Sequence, residues 1–393
     1  MNVLDLLLLA AALSFALSGY RQGFIVGVLS FAGFLGGGIL GMLVLPQFLE
    51  RFDGGPASSI VAIAVVLIAA MLGQVIATLI GGQIREYVTW EPARFLDASA
   101  GAGVSAVSML LIAWIVGSAV ATASIPTLSR QVRGSQVLQE IDKVMPGDAA
   151  TWFSAFTRVL DRNGFPQVFA PFAPERIRPV APPDSEVLRS GAVRSARGSI
   201  VKVLGTAEEC SRQVEGTGFV YSPHRIMTNA HVVAGVDDPV VLVGDGAEQH
   251  QGKVVLFDPN RDLAVLHVPS LDAQPLDFDP GGQPSDDAIV AGFPRNGPFS
   301  AGPARIRSEI NARGPDIYHR DTVTREVFAL YATVQPGNSG GPLLASDGDV
   351  YGVIFAKSLE DPDTGYALTV DEVAAQAKRG VTRTAAVNTQ DCA

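Results

Sequence analysis

The sequence predicts a multi-domain protein in which an N-terminal bundle of four transmembrane helices precedes an all-β region. Three observations support this division. The first third of the chain holds three long stretches without a charged residue, residues 166–183 contain six prolines, and short β-like runs separated by turns begin near residue 199. We therefore place a transmembrane domain at 1–125, a helical and proline-rich linker at 126–184, and the β domain at 185–393.

The composition excludes several classes of function. Of the 393 residues, 48% are hydrophobic, and the mean hydropathy of +0.27 is too apolar for an ordinary soluble protein. The net charge of −10 argues against a nucleic-acid partner, because phosphate binding needs a surplus of Lys and Arg. Two cysteines fit no tetrahedral zinc site, and the sequence has no phosphate loop or dinucleotide fingerprint. We expect no metal and no cofactor.

The transmembrane helices are predicted from length and hydropathy. About 20 apolar residues in a helix cross a hydrocarbon core of about 30 Å, and three charge-free stretches exceed that length: 22–49, 54–84 and 98–129. The apolar segment at 3–20 lacks the Lys or Arg that opens a signal peptide, so we interpret it as the first helix. Buried helices of a soluble protein are the alternative, but they would need polar faces. The predicted helices are about 3–20, 25–48, 57–82 and 99–123.

The basic residues between the helices indicate an orientation. The first and third loops carry Arg21, Arg85 and Arg94, whereas the second carries only Arg51. Because basic loops stay in the cytoplasm, this count favours both termini on the outer side, although two arginines just after the fourth helix favour the opposite. We expect a multi-pass membrane protein with its β domain on the outer side of the membrane.

The membrane region also resembles a known family. The run DLLLL at 5–9 followed by GYRQGF at 19–24 is similar to the colicin V production protein family of four-helix membrane proteins. The resemblance covers roughly residues 1–125 and implies the topology rather than the activity.

The connector and the β region have their own patterns. Apolar residues at near-helical spacing predict a helix at 131–144, a second short helix is expected at 147–162, and the prolines after it predict an extended spacer. Short strands at regular spacing indicate a barrel or sandwich, and we predict them at 199–204, 216–221, 240–243, 253–257, 263–268, 288–291, 327–334, 350–356 and 366–370. One helix is expected at 370–379, where Asp371 and Glu372 suit the first turn.

Three motifs in the β region carry a chemistry: TNAHVV at 228–233, DLAVL at 262–266 and QPGNSGGP at 335–342. A serine is a weak nucleophile until a base removes its proton, and that base must be oriented by a third group. We predict His231 as the base, Asp262 as its orienting group and Ser339 as the nucleophile. Each motif alone has a trivial explanation, a structural histidine, a strand start or a turn, but their joint occurrence in this order favours catalysis.

The glycines around Ser339 predict an oxyanion hole. Two backbone N–H groups must point at the oxygen that becomes negative in the tetrahedral intermediate, and removing one such donor costs about 3 to 4 kcal/mol. We assign these donors to the amides of Gly337 and Ser339, because Gly337 can adopt the positive φ that such a loop needs.

With these motifs, residues 190–375 resemble the trypsin-like serine proteases. The resemblance implies two six-stranded barrels with the active site between them, the first supplying His231 and Asp262 and the second supplying Ser339. Four membrane helices, a linker and such a domain are together similar to the actinobacterial acid-resistance membrane serine proteases, the MarP-like family. That family implies a periplasmic catalytic domain, a disulfide, and processing of cell-envelope proteins during acid or oxidative stress.

Four further expectations concern single residues. Asn338 precedes Ser339 where digestive zymogens use Asp, so activation by an ion pair with a new N-terminus is not expected. Thr333, six residues before Ser339, is expected at the base of the specificity pocket and favours an uncharged substrate side chain. Cys210 and Cys392 either form a disulfide or remain two buried thiols. The other histidines are interpreted as surface or structural residues.

We consider three functions: a serine endopeptidase acting on envelope proteins or peptides, a non-catalytic membrane scaffold whose pseudo-protease domain binds peptides, and an esterase with the same triad. The intact triad favours the endopeptidase. An imidazole base ordinarily has a pKa of about 6.5, so we expect activity to fall below pH about 6.

Overall fold

A computed structural model describes residues 1–49, 56–121, 126–145, 165–210, 212–244 and 248–392. The chain divides into two compact units, one helical and one rich in β-strands. The predicted fold class is confirmed, as the following elements show.

The helical unit contains four long helices: α1 Val3–Gln22, α2 Phe24–Leu49, α3 Pro56–Glu86 and α4 Glu91–Ala121. All four are long and apolar enough to cross a membrane, which agrees with the prediction. Large apolar side chains such as Leu7, Leu43 and Leu79 are more than 60% exposed, as expected for helices whose solvent is lipid. An added Cβ on Gly33 or Gly37 would collide with the backbone of α3, so these glycines permit the close packing expected of small residues.

Two short helices follow, α5 Pro126–Arg133 and α6 Gln136–Val144. The helix predicted at 131–144 is thus interrupted, because Ser135 adopts an extended conformation and caps the start of α6 through its side chain. The fully buried carboxylate of Asp5 accepts hydrogen bonds from Ser135 Oγ (2.6 Å) and from the Val137 amide (3.1 Å). The helix expected at 147–162 lies outside the described residues.

The proline-rich residues 165–184 have no regular secondary structure, as their composition predicts, but they pack on the β-rich unit. The Ala170 amide donates to the Arg313 carbonyl (3.1 Å). The Glu175 carboxylate accepts from the Tyr366 hydroxyl (2.8 Å) and from the Leu359 amide (3.1 Å). These contacts hold the segment against its own unit rather than leaving it as a free spacer.

The β-rich unit contains an initial seven-stranded sheet and a closed six-stranded barrel, all of whose strand pairs are antiparallel. The sheet has the order β5-β4-β1-β2-β3-β7-β6 and the barrel the order β10-β13-β12-β11-β8-β9. The described part of the first half of this unit therefore has seven strands, where the resemblance to trypsin-like proteases implied six. The strands are β1 Ile200–Ala207, β2 Arg212–Ser222, β3 Arg225–Thr228, β4 Val240–Val243, β5 Glu248–Gln251, β6 Lys253–Asp258, β7 Leu263–His267, β8 Asp287–Gly292, β9 Ser300–Pro315, β10 Thr322–Tyr331, β11 Pro342–Leu344, β12 Val350–Lys357 and β13 Thr364–Thr369.

Within the described residues, this unit also contains the helices α7 Ala192–Ala196 and α8 Val370–Thr382. The second was predicted, and the Thr369 side chain caps it by accepting from the Glu372 amide. A disulfide joins Cys210 to Cys392 across 182 residues, with Cα atoms 6.6 Å apart. Near it, the Thr389 carbonyl accepts from the Gly235 amide (3.2 Å), so the C-terminal tail is held beside the turn that follows β3.

Candidate active site

The pairing of β3 with β7 places His231 beside Asp262. Thr228, at the end of β3, lies opposite Ala264 near the start of β7. The chain leaving β3 and the chain entering β7 therefore lie at the same end of these two strands. His231 follows β3 there, and Asp262 precedes β7. His231 Nδ1 lies 2.7 Å from Asp262 Oδ2, and the His231 amide donates to Asp262 Oδ1 (2.9 Å).

Asp262 is held in an unusual conformation. Its side chain is fully buried, its φ is 59°, and its carbonyl accepts from Asn229 Nδ2 (2.8 Å). Left-handed φ values in residues other than glycine cost energy and cluster at functional sites. Because the carboxylate can only accept, the short bond to Nδ1 fixes the ring proton there and leaves Nε2 as the acceptor.

A buried arginine supports the Asp262 turn from the barrel. Arg325, on β10, is 1% exposed, and its Nε donates to the Asn260 carbonyl (2.8 Å) two residues before Asp262. Burial lowers the pKa of Arg325, while the negative charges of Asp262 and Asp316 oppose that shift. The turn therefore carries a buried positive charge close to the buried carboxylate.

The loop at 335–341 has almost every peptide group fixed by hydrogen bonds. The Pro336 carbonyl accepts from the Arg295 amide (2.7 Å), and the Gly337 carbonyl accepts from Thr217 Oγ1 (2.6 Å). The Asn338 amide donates to Gln335 (2.9 Å) and its carbonyl accepts from Gly341 (2.9 Å). Beyond them, the Ser339 carbonyl accepts from the Thr217 amide (2.8 Å) and the Gly340 amide donates to Ile354 (2.8 Å).

Two backbone N–H groups of this loop take no part in these hydrogen bonds. Among the described residues, the N–H groups of Gly337 and Ser339 have no hydrogen-bond acceptor. In a trans peptide the N–H points away from its C=O, so the bonds to Arg295 and Gly341 determine which way these two N–H groups point. Gly337 and Gly340 reach this arrangement with φ values of 92° and 82°, which glycine adopts without steric cost.

Ser339 is buried and His231 is partly buried, and each has a polar atom that makes no hydrogen bond. Ser339 is 2% exposed and the His231 side chain 11%. Within the described part of the chain, neither Ser339 Oγ nor His231 Nε2 has a hydrogen-bond partner, so the structure joins His231 to Asp262 but not to Ser339. An added Cβ on Gly216 would lie 2.6 Å from the Val232 side chain and 3.1 Å from the Ser339 carbonyl oxygen. The residue after His231 and the Ser339 backbone thus approach the same glycine.

The remaining predicted residues are placed as follows. Asn338 is 5% exposed, and its Oδ1 accepts from the Gln335 amide (2.9 Å), so this side chain braces its own loop. Thr333 is exposed, whereas its neighbour Val334 is buried, with its side chain against Gly365. The sequence reasoning missed Thr217, which lies on β2 and makes hydrogen bonds to the 335–341 loop. Its position between two glycines was the only signal for it.

Residues 216–353 match the trypsin-like peptidase domain family, and residues 4–146 match the colicin V production protein family. The serine protease Rv3671c of Mycobacterium tuberculosis is 38% identical over 386 residues, which is 97% of this chain and 96% of that protein. The chain belongs to this MarP-like family of membrane serine proteases.

Two further matches concern only part of the chain. The crystal structure of the Rv3671c protease in its active form is 42% identical, covers 57% of this chain and 99% of that chain, and superposes with a TM-score of 0.54. The chloroplastic protease Do-like 1 of Arabidopsis thaliana is 32% identical over 172 residues, or 41% of this chain and 38% of that protein. The present chain is a trypsin-like serine protease with four N-terminal membrane-type helices.

Proposed function

We propose that this chain is a membrane-anchored serine endopeptidase whose catalytic triad is His231, Asp262 and Ser339. The observation that carries the proposal is the pair of bonds from His231 to Asp262, at 2.7 and 2.9 Å, which leaves Nε2 unpaired and buried. In this role His231 removes the proton from Ser339 Oγ as the oxygen attacks a peptide carbonyl. In unliganded enzymes the hydrogen bond between base and nucleophile is often long or poorly aligned, and it tightens when substrate binds.

The two unpaired amides complete the proposed chemistry. Attack by Ser339 places negative charge on the former carbonyl oxygen, and the N–H groups of Gly337 and Ser339 are free to bind it. His231 then returns its proton to the leaving amine, an acyl-enzyme remains on Ser339, and water repeats the sequence to release the acid. No step requires a metal or a cofactor.

We further propose that the catalytic unit lies on the outer side of the bacterial inner membrane and processes cell-envelope proteins in acid or oxidative stress. Three arginines in the first and third loops favour this orientation. The Cys210–Cys392 disulfide adds support, because such bonds persist in oxidising compartments. The stress role is proposed from the resemblance to the MarP-like family.

The test compares wild type with Ser339→Ala in the producing bacterium. Mass spectrometry of new protein N-termini in the cell envelope should find cleavage products that are present with wild type and lost with Ser339→Ala. Identical fragment sets would reject the envelope-protease proposal. Turnover of simple esters without turnover of any peptide by the purified chain would support the esterase instead.

A further inference from the structure

Thr217 stands at the centre of the hydrogen bonds that shape the Ser339 loop. It lies on β2 and is fully buried. Its hydroxyl donates to the Gly337 carbonyl (2.6 Å) and accepts from the Phe293 amide (3.0 Å), while its own amide donates to the Ser339 carbonyl (2.8 Å). One residue of the first sheet therefore contacts two separate segments next to the barrel.

The hydroxyl acts on the peptide group that separates the two free amides. The Gly337 carbonyl belongs to the peptide 337–338, whose N–H is fixed by Gln335. With Thr217 Oγ1 on one side and Gln335 on the other, this peptide cannot rotate without breaking two bonds. Its orientation sets the angle between the Gly337 N–H that precedes it and the Ser339 N–H that follows it.

The same hydroxyl acts a second time through the turn at 293–297. This turn holds the Pro336 carbonyl through the Arg295 amide (2.7 Å), which in turn directs the Gly337 N–H. Arg295 and Asn296 both have φ of 55°, a left-handed conformation that needs support from its surroundings. The support comes from Thr217 Oγ1 at Phe293 and from Lys202 Nζ, which donates to the Asn296 carbonyl (2.9 Å).

We propose that the Thr217 hydroxyl is a positioning residue for the oxyanion hole, and that Lys202 reinforces it through the 293–297 turn. The proposal rests on the catalytic role assigned to Ser339. The hydroxyl does not touch substrate; it aligns the Gly337 and Ser339 amides on the oxygen of the transition state. Its loss should therefore slow the chemical step while leaving substrate binding in place.

The test uses the full chain purified in detergent and a fluorogenic peptide that the wild type cleaves. Thr217→Val removes the hydroxyl, and Thr217→Ala does so without placing a methyl group against the Gly337 carbonyl. For both we expect kcat to fall about 10- to 100-fold, with KM changed by less than about threefold. Thr217→Ser, which keeps the hydroxyl, should restore kcat to within about threefold of wild type.

A matched control separates positioning from general destabilisation. Thr389 is 5% exposed, and its hydroxyl donates to the Val236 carbonyl (3.1 Å), away from the 335–341 loop. Thr389→Val should keep wild-type kcat. The pH at which kcat/KM reaches half its maximum should be the same in Thr217→Ala as in wild type, because the base is untouched; a shift would indicate a collapsed site and overturn the proposal.

The outcomes are distinguishable. Wild-type kcat in both Thr217→Ala and Thr217→Val, or failure of Thr217→Ser to restore it, would overturn the role of the hydroxyl while leaving the triad intact. Retention of peptide cleavage by Ser339→Ala would instead overturn the function on which the proposal rests. A lower kcat in Lys202→Met with unchanged KM would support the indirect route through the turn.

Discussion

Replacement of Asp262 by Asn tests the proposed base most sharply. Each carboxylate oxygen of Asp262 accepts one bond from His231, Oδ2 from the ring and Oδ1 from the backbone amide. Asparagine has only one acceptor oxygen, and its NH₂ group must face the other donor. Whichever way the amide is turned, one of the two bonds is lost.

The two orientations have different costs. If the Asn oxygen accepts from the backbone, the NH₂ group donates to Nδ1, the ring proton moves to Nε2, and the base is lost. If it accepts from the ring instead, a backbone N–H is left buried without an acceptor, at about 1–3 kcal/mol. The first orientation keeps the fold at the expense of catalysis. We expect kcat to fall by up to about 10⁴-fold, or about 5.5 kcal/mol in the barrier.

The assay is steady-state cleavage of a fluorogenic peptide, with the melting temperature measured in parallel. Asp316→Asn is the matched control, because Asp316 is 4% exposed and its Oδ1 caps the Tyr318 and Arg320 amides without contacting His231. We expect the control to keep activity within about threefold. An Asp262→Asn enzyme within tenfold of wild type and equally stable would refute the reasoning about the tautomer.

Two further results are expected. Cys392→Ser should lower the free energy of unfolding of the β-rich unit by about 2–5 kcal/mol in urea titrations, because the disulfide closes a loop of 182 residues. An unchanged urea midpoint would contradict this. Gly340→Ala should lower the melting temperature and abolish peptide cleavage, because its φ is 82° and an added Cβ would lie 3.0 Å from the Asn229 amide; Gly302→Ala, where the Cβ meets nothing within 4 Å, should behave as wild type.

The parts of the fold set by local composition could be predicted from the sequence. Helix length and hydropathy are properties of single segments, so all four long helices were expected, although α4 begins at Glu91 and not near residue 99 as predicted. The sixteen-residue strand β9 was missed because Gly302, Pro303 and Gly314 read as strand breakers. Pro303 is tolerated because it pairs with Ile289 on β8, in a part of β9 that has no β10 partner.

The functional site also has one part that the sequence predicted and one part that it did not. His231, Asp262 and Ser339 stand in recognisable motifs, because each must be a particular residue type next to a particular turn. Thr217 and Arg325 act through bonds to carbonyls that are distant in sequence, and the partners of such bonds depend on strand register. The packing of residues 165–184 depends likewise on Glu175 meeting Tyr366, 191 residues away. Composition alone describes that segment as an extended spacer.

The central claim is that Ser339 is a nucleophile activated by His231, and covalent labelling tests it most directly. The full chain would be treated with a fluorophosphonate probe, digested and mapped by mass spectrometry. The account predicts a single adduct on Ser339 Oγ, its absence in Ser339→Ala, and strongly slowed labelling in His231→Ala. Labelling at another residue, or unchanged labelling of His231→Ala, would contradict it.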